Sequence, residues 1–265
     1  LVRLQPSTIT GTGTNLRFQG DVPISSTAPA ALALLGNVDL RIARIFAPTL
    51  ATTGQVRFDI RSTGALENPD VKGQVNIVNA SVQAIGEPIG IQNANGVLTV
   101  GNSRVDISSF QGEVGGGTIS ASGGAVYRPT LQFDLGLKAR GITYVYQDQV
   151  RAAVDASLSF IGDKTASTLS GRVQVGRVSF TPDFDMTSLL TSSTGVASPP
   201  AAGTFSDTVK LDIDAQTSPS LNLVSQTLSI RGGANLHVQG TMSQPVIVGR
   251  VNLTGGDLIF RGNRY

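Results

Sequence analysis

Along almost its whole length the chain alternates Val, Ile, Leu and Phe with polar residues at a period of two. That period belongs to a β-strand, whose successive side chains point to opposite faces, and not to a helix, whose apolar positions recur every three or four residues. Clear stretches are Gln55 to Arg61, with Val56, Phe58 and Ile60 set against Arg57, Asp59 and Arg61, and Leu131 to Lys138, with Leu131, Phe133, Leu135 and Leu137 set against Gln132, Asp134 and Lys138. Two more are Val154 to Phe160, with Val154, Leu158 and Phe160 against Asp155, Ser157 and Ser159, and Val209 to Asp214, with Leu211 and Ile213 against Lys210, Asp212 and Asp214. Each segment predicts a strand with one apolar side.

Turn residues punctuate the strands at short spacing: Ser62 to Gly64, Glu67 to Pro69, Asn93 to Gly96, Gly101 to Ser103, Gly115 to Gly117, Gly162 to Lys164, Gly232–Gly233 and Gly255–Gly256. Helical periodicity is nearly absent. Pro29 to Leu35 is the best helix candidate, and Asp185 to Leu190 is a candidate single turn, so no helix is expected to cover a sheet. The longest break, about 181–206, is rich in Ser, Thr, Pro, Ala and Gly and predicts a flexible loop longer than ordinary connections. Alternation resumes at Val209, so one all-β domain over 1–265 is expected.

The chain also repeats itself. Ile60 to Ala84 aligns without a gap on Leu236 to Phe260, with Gly64, Pro69, Gly73, Val75 and Asn76 matching Gly240, Pro245, Gly249, Val251 and Asn252. A weaker middle copy keeps Gly162, Gly171, Val173, Val175, Val178 and Phe180. The shared unit is a strand, a Gly turn, and a second strand with Gly in its first half, where glycine marks a bulge or a close backbone approach.

Composition narrows the chemistry. There is no Cys, which removes disulfides, thiolate metal sites and a Cys nucleophile together. Twenty basic against eighteen acidic residues give a net charge of +2, and the Arg residues, among them Arg41, Arg44, Arg140, Arg151, Arg172, Arg177, Arg250, Arg261 and Arg264, are spread along the chain. Such charge reads as solubility, with a rim of Arg on lipid phosphates as the functional alternative, and no nucleic-acid partner is expected. The single His, His237, lies between Leu236 and Val238 and points to the polar side, as a solvated strand residue. Asp183 with Asp185, and Asp212 with Asp214, are the paired carboxylates, read as solvated strand charges before metal or acid–base groups. Gly115 to Gly117 lacks the Lys-Ser/Thr and the helix of a phosphate loop and reads as a tight turn. Asn79-Ala-Ser81 and Asn252-Leu-Thr254 match the glycosylation sequon, which means little if the source is bacterial. No catalytic residue, cofactor or metal is expected, and the role is read as non-enzymatic. With no initiator Met, leader or long apolar run, the chain reads as a fragment of a longer protein.

The stretch Leu236 to Tyr265, with Gly240, Gln244–Pro245, Gly249, Gly256, Phe260, Gly262, Asn263 and Tyr265, resembles the C-terminal region of the TamB family of diderm bacteria. So do Leu16 to Ile24 (with Phe18, Gly20 and Pro23), Asn68 to Val78, Ile89 to Val100 and the Gly112 to Gly123 cluster. The chain departs from the family pattern in stopping at Tyr265 and in its long break after Thr181. The resemblance implies an elongated, curled, antiparallel-type sheet, a β-taco or half-pipe, with an apolar concave groove. It further implies a periplasmic location, an inner-membrane anchor in the full-length protein, an outer-membrane barrel partner of the TamA/BamA type, and roles in outer-membrane protein assembly and phospholipid transfer.

Energetics leads to the same need for a covered face. The apolar set includes Val56, Phe58, Ile60, Val75, Ile77, Val105, Ile107, Leu131, Phe133, Leu135, Val154, Leu158, Phe160, Val173, Val175, Leu211, Ile213, Leu221, Leu223, Leu236, Val238, Val251, Leu253, Leu258 and Phe260. Burying each is worth roughly 1.5–3 kcal/mol, whereas a whole fold is stable by about 5–15 kcal/mol. That face must therefore meet itself, a partner or lipid. Strands of six to eight residues, roughly 20–27 Å long, give walls that would shelter acyl chains from a hydrocarbon leaflet of about 15 Å, and some fifteen of them would extend roughly 70 Å. An outer-membrane barrel would want aromatic girdles, against 10 Phe, 4 Tyr and no Trp here. A closed β-sandwich or β-solenoid adhesin would use the same face as a dry core. Within the resemblance, an open edge pairing with nascent outer-membrane strands is the alternative to phospholipid carriage.

Overall fold

In a computed structural model of the chain, the residues described are 2–24, 28–65, 67–86, 89–101, 103–146, 150–180, 205–218, 221–224, 228–260 and 263–264. They form β1 (Val2–Gly11), β2 (Thr14–Val22), β3 (Pro29–Asp39), β4 (Leu50–Ala65), β5 (Asp70–Ala84), β6 (Ile91–Gly101), β7 (Arg104–Val114) and β8 (Gly117–Val126). Then follow β9 (Gln132–Tyr146), β10 (Val150–Asp163), β11 (Ser167–Phe180), β12 (Val209–Thr217), β13 (Leu221–Val224), β14 (Leu228–Thr241), β15 (Pro245–Phe260) and β16 (Asn263–Arg264). A 3-10 turn, Leu40–Ile45, joins β3 to β4, and a single helical turn, Phe205–Thr208, precedes β12. The strands follow one hydrogen-bonding order, β1 through β12, then β14, β15 and β16, with β13 also on β14. The chain divides into two compact units, one holding 1–114 and 118–135 and the other 115–117 and 136–265, and within neither does the order close on itself.

Among the described residues the strand pairs from β1 to β7, the pair β10 with β11, and those of β12 through β16 are antiparallel. By contrast, β11 and β12 run parallel from Ser167↔Val209 to Val175↔Thr217. Parallel neighbours need a crossover of a dozen or more residues, and the long break between Phe180 and Val209 supplies it. The predicted loop at 181–206 and the candidate turn at Asp185 to Leu190 fall mainly or wholly outside the described residues.

Strand ends differ from the sequence reading in a consistent way. Asn93 to Gly96 is no turn: β6 continues through it, with Asn93 at φ 50° and a register shift against β7 between Gln92 and Asn95. Gly232–Gly233 and Gly255–Gly256 likewise lie inside β14 and β15. Bulges let a strand keep its ladder while its alternation slips, so strands reach 16 residues instead of six to eight. Pro29 to Leu35, the best helix candidate though too short to stand alone, is the first part of β3. Its Ala/Leu run pairs residue by residue with β2 and β4, and that tertiary pairing overrides a helical preference too short to stand alone.

The internal repeat is conformational as well as sequential. Gly64, Gly162 and Gly240 sit at φ 90°, 145° and 91°, near the ends of β4, β10 and β14. Gly73, Gly171 and Gly249, in the next strand of each hairpin, sit at φ 156°, 139° and 154°, opposite Ile60, Leu158 and Leu236. A Cβ at these three positions would overlap the carbonyl oxygen of Asp59, Ser157 or Asn235 and would stand 2.8, 2.9 or 2.8 Å from the Cα of the facing residue. Only glycine permits so close an approach of two strands.

In the first unit, one rim is drawn together. The guanidinium of Arg128, in the β8–β9 turn, donates to the Asn68 Oδ1 at 3.0 Å and to the Pro69 carbonyl, both in the β4–β5 turn. The Tyr127 N–H donates to the Ser103 carbonyl in the intervening turn at 2.7 Å. A flat sheet would hold the outer two turns roughly 19 Å apart, four strand spacings. The link therefore requires this unit to curl.

Candidate functional site

The register assembles the apolar residues into rows that run across the strands. In the first unit one row is Leu16, Gly36, Phe58, Val75, Leu98 and Ile107, a second is Phe18, Leu34, Ile60, Gly73, Val100 and Val105, and a third is Val38, Val56, Ile77, Gly96 and Phe110. In the second unit the rows are Phe160, Leu169, Leu211 and Gly240; Leu158, Gly171, Ile213, Val238 and Ile247; and Ala156, Val173, Ala215, Leu236 and Gly249. Val154 pairs with Val175. Alternation thus placed Val56, Phe58, Ile60, Val75, Ile77, Val105 and Ile107 on one face of the first unit and Val154, Leu158, Phe160, Val173, Val175, Leu211, Ile213, Leu236 and Val238 on one face of the second. Glycines recur within the rows and narrow the wall where two strands approach.

Among the described residues no dry core lies beneath these rows. The buried apolar side chains among the described residues are few and mostly small: Pro23, Ala30, Ala80, Ala94, Ile119, Ala139 and Val209. Apart from Ile247, which is 64% exposed, the large apolar residues of the rows are half-buried, among them Phe58, Ile60, Leu98, Leu158 and Ile213. A two-layer sandwich would bury those large side chains between its sheets, so the arrangement observed is not the closed one.

Some predicted residues stand apart. Leu131 precedes β9 and is 43% exposed, while Phe133 and Leu135 are half-buried within it. Val251 and Leu253 are in β15 but 62% and 67% exposed, because β15 is paired with β14 along Pro245 to Leu258 and with β16 only at Ile259 and Phe260. The side chains of Leu221, Leu223, Leu258 and Phe260 lie outside the described residues. Sequence reasoning missed Leu16, Phe18, Leu34, Leu98 and Leu169. Alternation was available for Leu16 with Phe18, whereas Leu34 lies in an Ala/Leu run that shows no alternation.

On the polar face, β12 and β14 bring His237 between two carboxylates. Its Nδ1 is 3.0 Å from the Asp214 Oδ1 and its Nε2 is 3.6 Å from the Asp212 Oδ1. All three side chains are at least a third exposed, and no group of three or more metal-ligating side chains is present among the described residues. Asp183 and Asp185 lie outside them. Gly115 and Gly116, at φ 53° and 77°, make the tight turn between β7 and β8. Among the described residues no helix is long and apolar enough to cross a membrane.

A family model described as the TamB C-terminal domain matches residues 108–265, more than half of the chain. The chain belongs to the TamB family. No curated protein and no solved structure matches it. Membership ties this TamB-family chain to outer-membrane assembly and transport and to the machinery that performs it. The matched region begins within β7 and takes in β8 through β16, and β1 through β6 precede it.

Proposed function

We propose that this chain carries phospholipid acyl chains along its apolar face, as the periplasmic part of a protein anchored in the inner membrane and meeting an outer-membrane barrel partner of the TamA/BamA type. The observation that carries the reading is the absence, among the described residues, of a core that buries the apolar rows. Hydrocarbon is the partner that such a lining fits best. It needs no directional contact, and transfer from water is favourable in proportion to the area covered. A lipid held this way meets few barriers as it moves from row to row, and no catalytic step is involved.

The test is mass spectrometry of lipids that co-purify with the chain. Leu158→Asp puts a charge into the lining, and Ser157→Asp puts the same charge on the opposite face of the same strand. Phospholipid is expected to be lost from the first variant and retained by the second, with both folded by circular dichroism. Equal lipid in both, or none in the parent chain, would sink the reading.

A second reading has its own support. β15 presents a long edge with exposed Val246, Ile247 and Val248, which suits strand addition by a nascent outer-membrane protein. Because the chain has no Cys, a single Cys introduced at Ile247 reports this directly. Crosslinking to an unfolded barrel protein favours assembly, and crosslinking to a photoactivatable acyl chain favours transfer.

A further inference from the structure

The Leu40–Ile45 turn between β3 and β4, with Phe46 at its end, leaves large apolar side chains exposed. Ile42 is 44% exposed, Ile45 74% and Phe46 84%; Ile85, whose N–H donates to the Thr49 carbonyl at 2.9 Å, adds a fourth at 66%. None of the turn's own residues is buried. Yet the segment is firmly held. Asp39 caps it by accepting from the Arg41 N–H at 2.9 Å, its carboxylate takes the Arg41 guanidinium through Nε at 2.9 Å and Nη2 at 2.5 Å, and the Thr52 hydroxyl donates to the Leu40 carbonyl at 2.7 Å. A rigid tip that displays a Phe and three Ile to water is costly for a chain that gains nothing from it.

Beside the tip lies an open pocket of about 370 Å³ lined by Arg41 and Arg44, by the hydroxyl residues Thr52, Thr53 and Ser81, by the amides Gln83, Gln92 and Asn93, and by Ala51 and Ile91; the Asn93 Nδ2 donates to the Glu113 carboxylate at 3.0 Å. Arg44 has no hydrogen-bond or ion-pair partner among the described residues, so its charge stays uncompensated, whereas that of Arg41 is balanced by Asp39. An apolar point next to a polar hollow that holds the unpaired Arg44 guanidinium is complementary to one kind of surface. Its tip suits the acyl boundary of a bilayer, and the hollow suits an anionic headgroup.

We propose that the tip formed by Ile42, Ile45, Phe46 and Ile85, with the Arg41–Arg44 pocket beside it, docks this rim of the sheet onto a bilayer containing anionic phospholipid. A protruding point is a poor match to a preformed protein surface but a good one to a soft interface. Docking of this kind does not depend on the apolar rows being filled, so it stands or falls apart from the carrier reading.

The chain contains no Trp, so Phe46→Trp gives a single fluorophore at the tip. Ile24→Trp places one at an equally exposed apolar position, 85% accessible, near the opposite ends of the strands. With phosphatidylglycerol-containing vesicles the emission of the first is expected to shift to the blue and to be quenched by brominated acyl chains, and that of the second to stay as in buffer. In co-sedimentation, Ile45→Ser with Phe46→Ser should weaken association about tenfold, and Arg44→Gln about fivefold, with a smaller effect of Arg44→Gln on pure phosphatidylcholine. No shift at position 46, or the same shift at position 24, would overturn the proposal. So would full binding by the double variant, while loss of co-purified lipid from Leu158→Asp with vesicle docking intact would leave it standing.

Discussion

At the residue scale, the three repeat glycines make the sharpest demand on sequence. Replacing Gly73 by Ala places a Cβ against the Asp59 carbonyl at a φ of 156°. The loss expected is about 1–3 kcal/mol of stability, read as a lower midpoint in thermal or urea unfolding. Gly101→Ala, where a Cβ meets nothing within 4 Å, is expected to change stability by less than about 0.5 kcal/mol. Equal costs at the two positions would mean that close approach is not why glycine is there. Asp39 makes a second demand. The side-chain hydrogen bond from Arg41, above all, lowers its pKa from 3.8 to about 2. A carboxylate held below its unfolded value stabilises the fold above that value, and the stabilisation is lost as pH falls toward the folded one. The melting-temperature advantage of the parent chain over Asp39→Asn should therefore be constant above about pH 4 and fade between pH 4 and 2. An advantage that survives to pH 2 would assign it to capping geometry and not to charge.

At the scale of strands and turns, curl in the first unit depends on a side chain that no periodicity announces. Arg128 joins turns sixty residues apart in sequence, and Arg128→Ala removes its bonds to Asn68 and Pro69 together. The cost expected is about 1–3 kcal/mol, with faster hydrogen exchange at the amides of the three turns on that rim and unchanged exchange in mid-strand. Uniformly faster exchange would instead indicate a global loss of stability. The contrast with what alternation provides is instructive. Which residues share a face was legible, because period two survives whatever the neighbouring strand is: Val56, Phe58 and Ile60 needed no partner to be placed. Strand ends were not, because Asn93 to Gly96 and Gly255–Gly256 have turn composition yet lie within strands, where a bulge or a close neighbour uses the same residues. The Leu40–Phe46 turn was missed for a related reason. Its start is set by the Asp39 cap and its course by Thr52, a contact made only once β3 and β4 have paired. The Pro29 to Leu35 run carries a helical bias that is local and too short to stand alone, and its pairing with β2 and β4 outweighs it.

At the scale of the whole molecule, an uncovered apolar lining has a thermodynamic consequence that a dry core does not. A chain that buries its large side chains in the native state binds an environment-sensitive apolar dye only when it loosens. In this chain, Phe58, Leu98, Leu158 and Ile213 remain half-buried in the folded state, so strong dye fluorescence is expected from the native, cooperatively folded chain and should not grow at the onset of unfolding. A short-chain phospholipid below its micelle concentration should displace the dye. Because it binds the folded state alone, it should also raise the unfolding free energy by mass action, about 2.7 kcal/mol at a hundredfold excess over its dissociation constant. Leu158→Asp should blunt both effects, and Ser157→Asp neither. The two readouts constrain each other: displacement without stabilisation would place the dye on the exposed Val246–Val248 edge of β15, and stabilisation without displacement would place the lipid away from the rows. A native chain that ignores the dye while unfolding in one sharp transition would mean that the rows are covered after all, and acyl carriage would have no surface to act on.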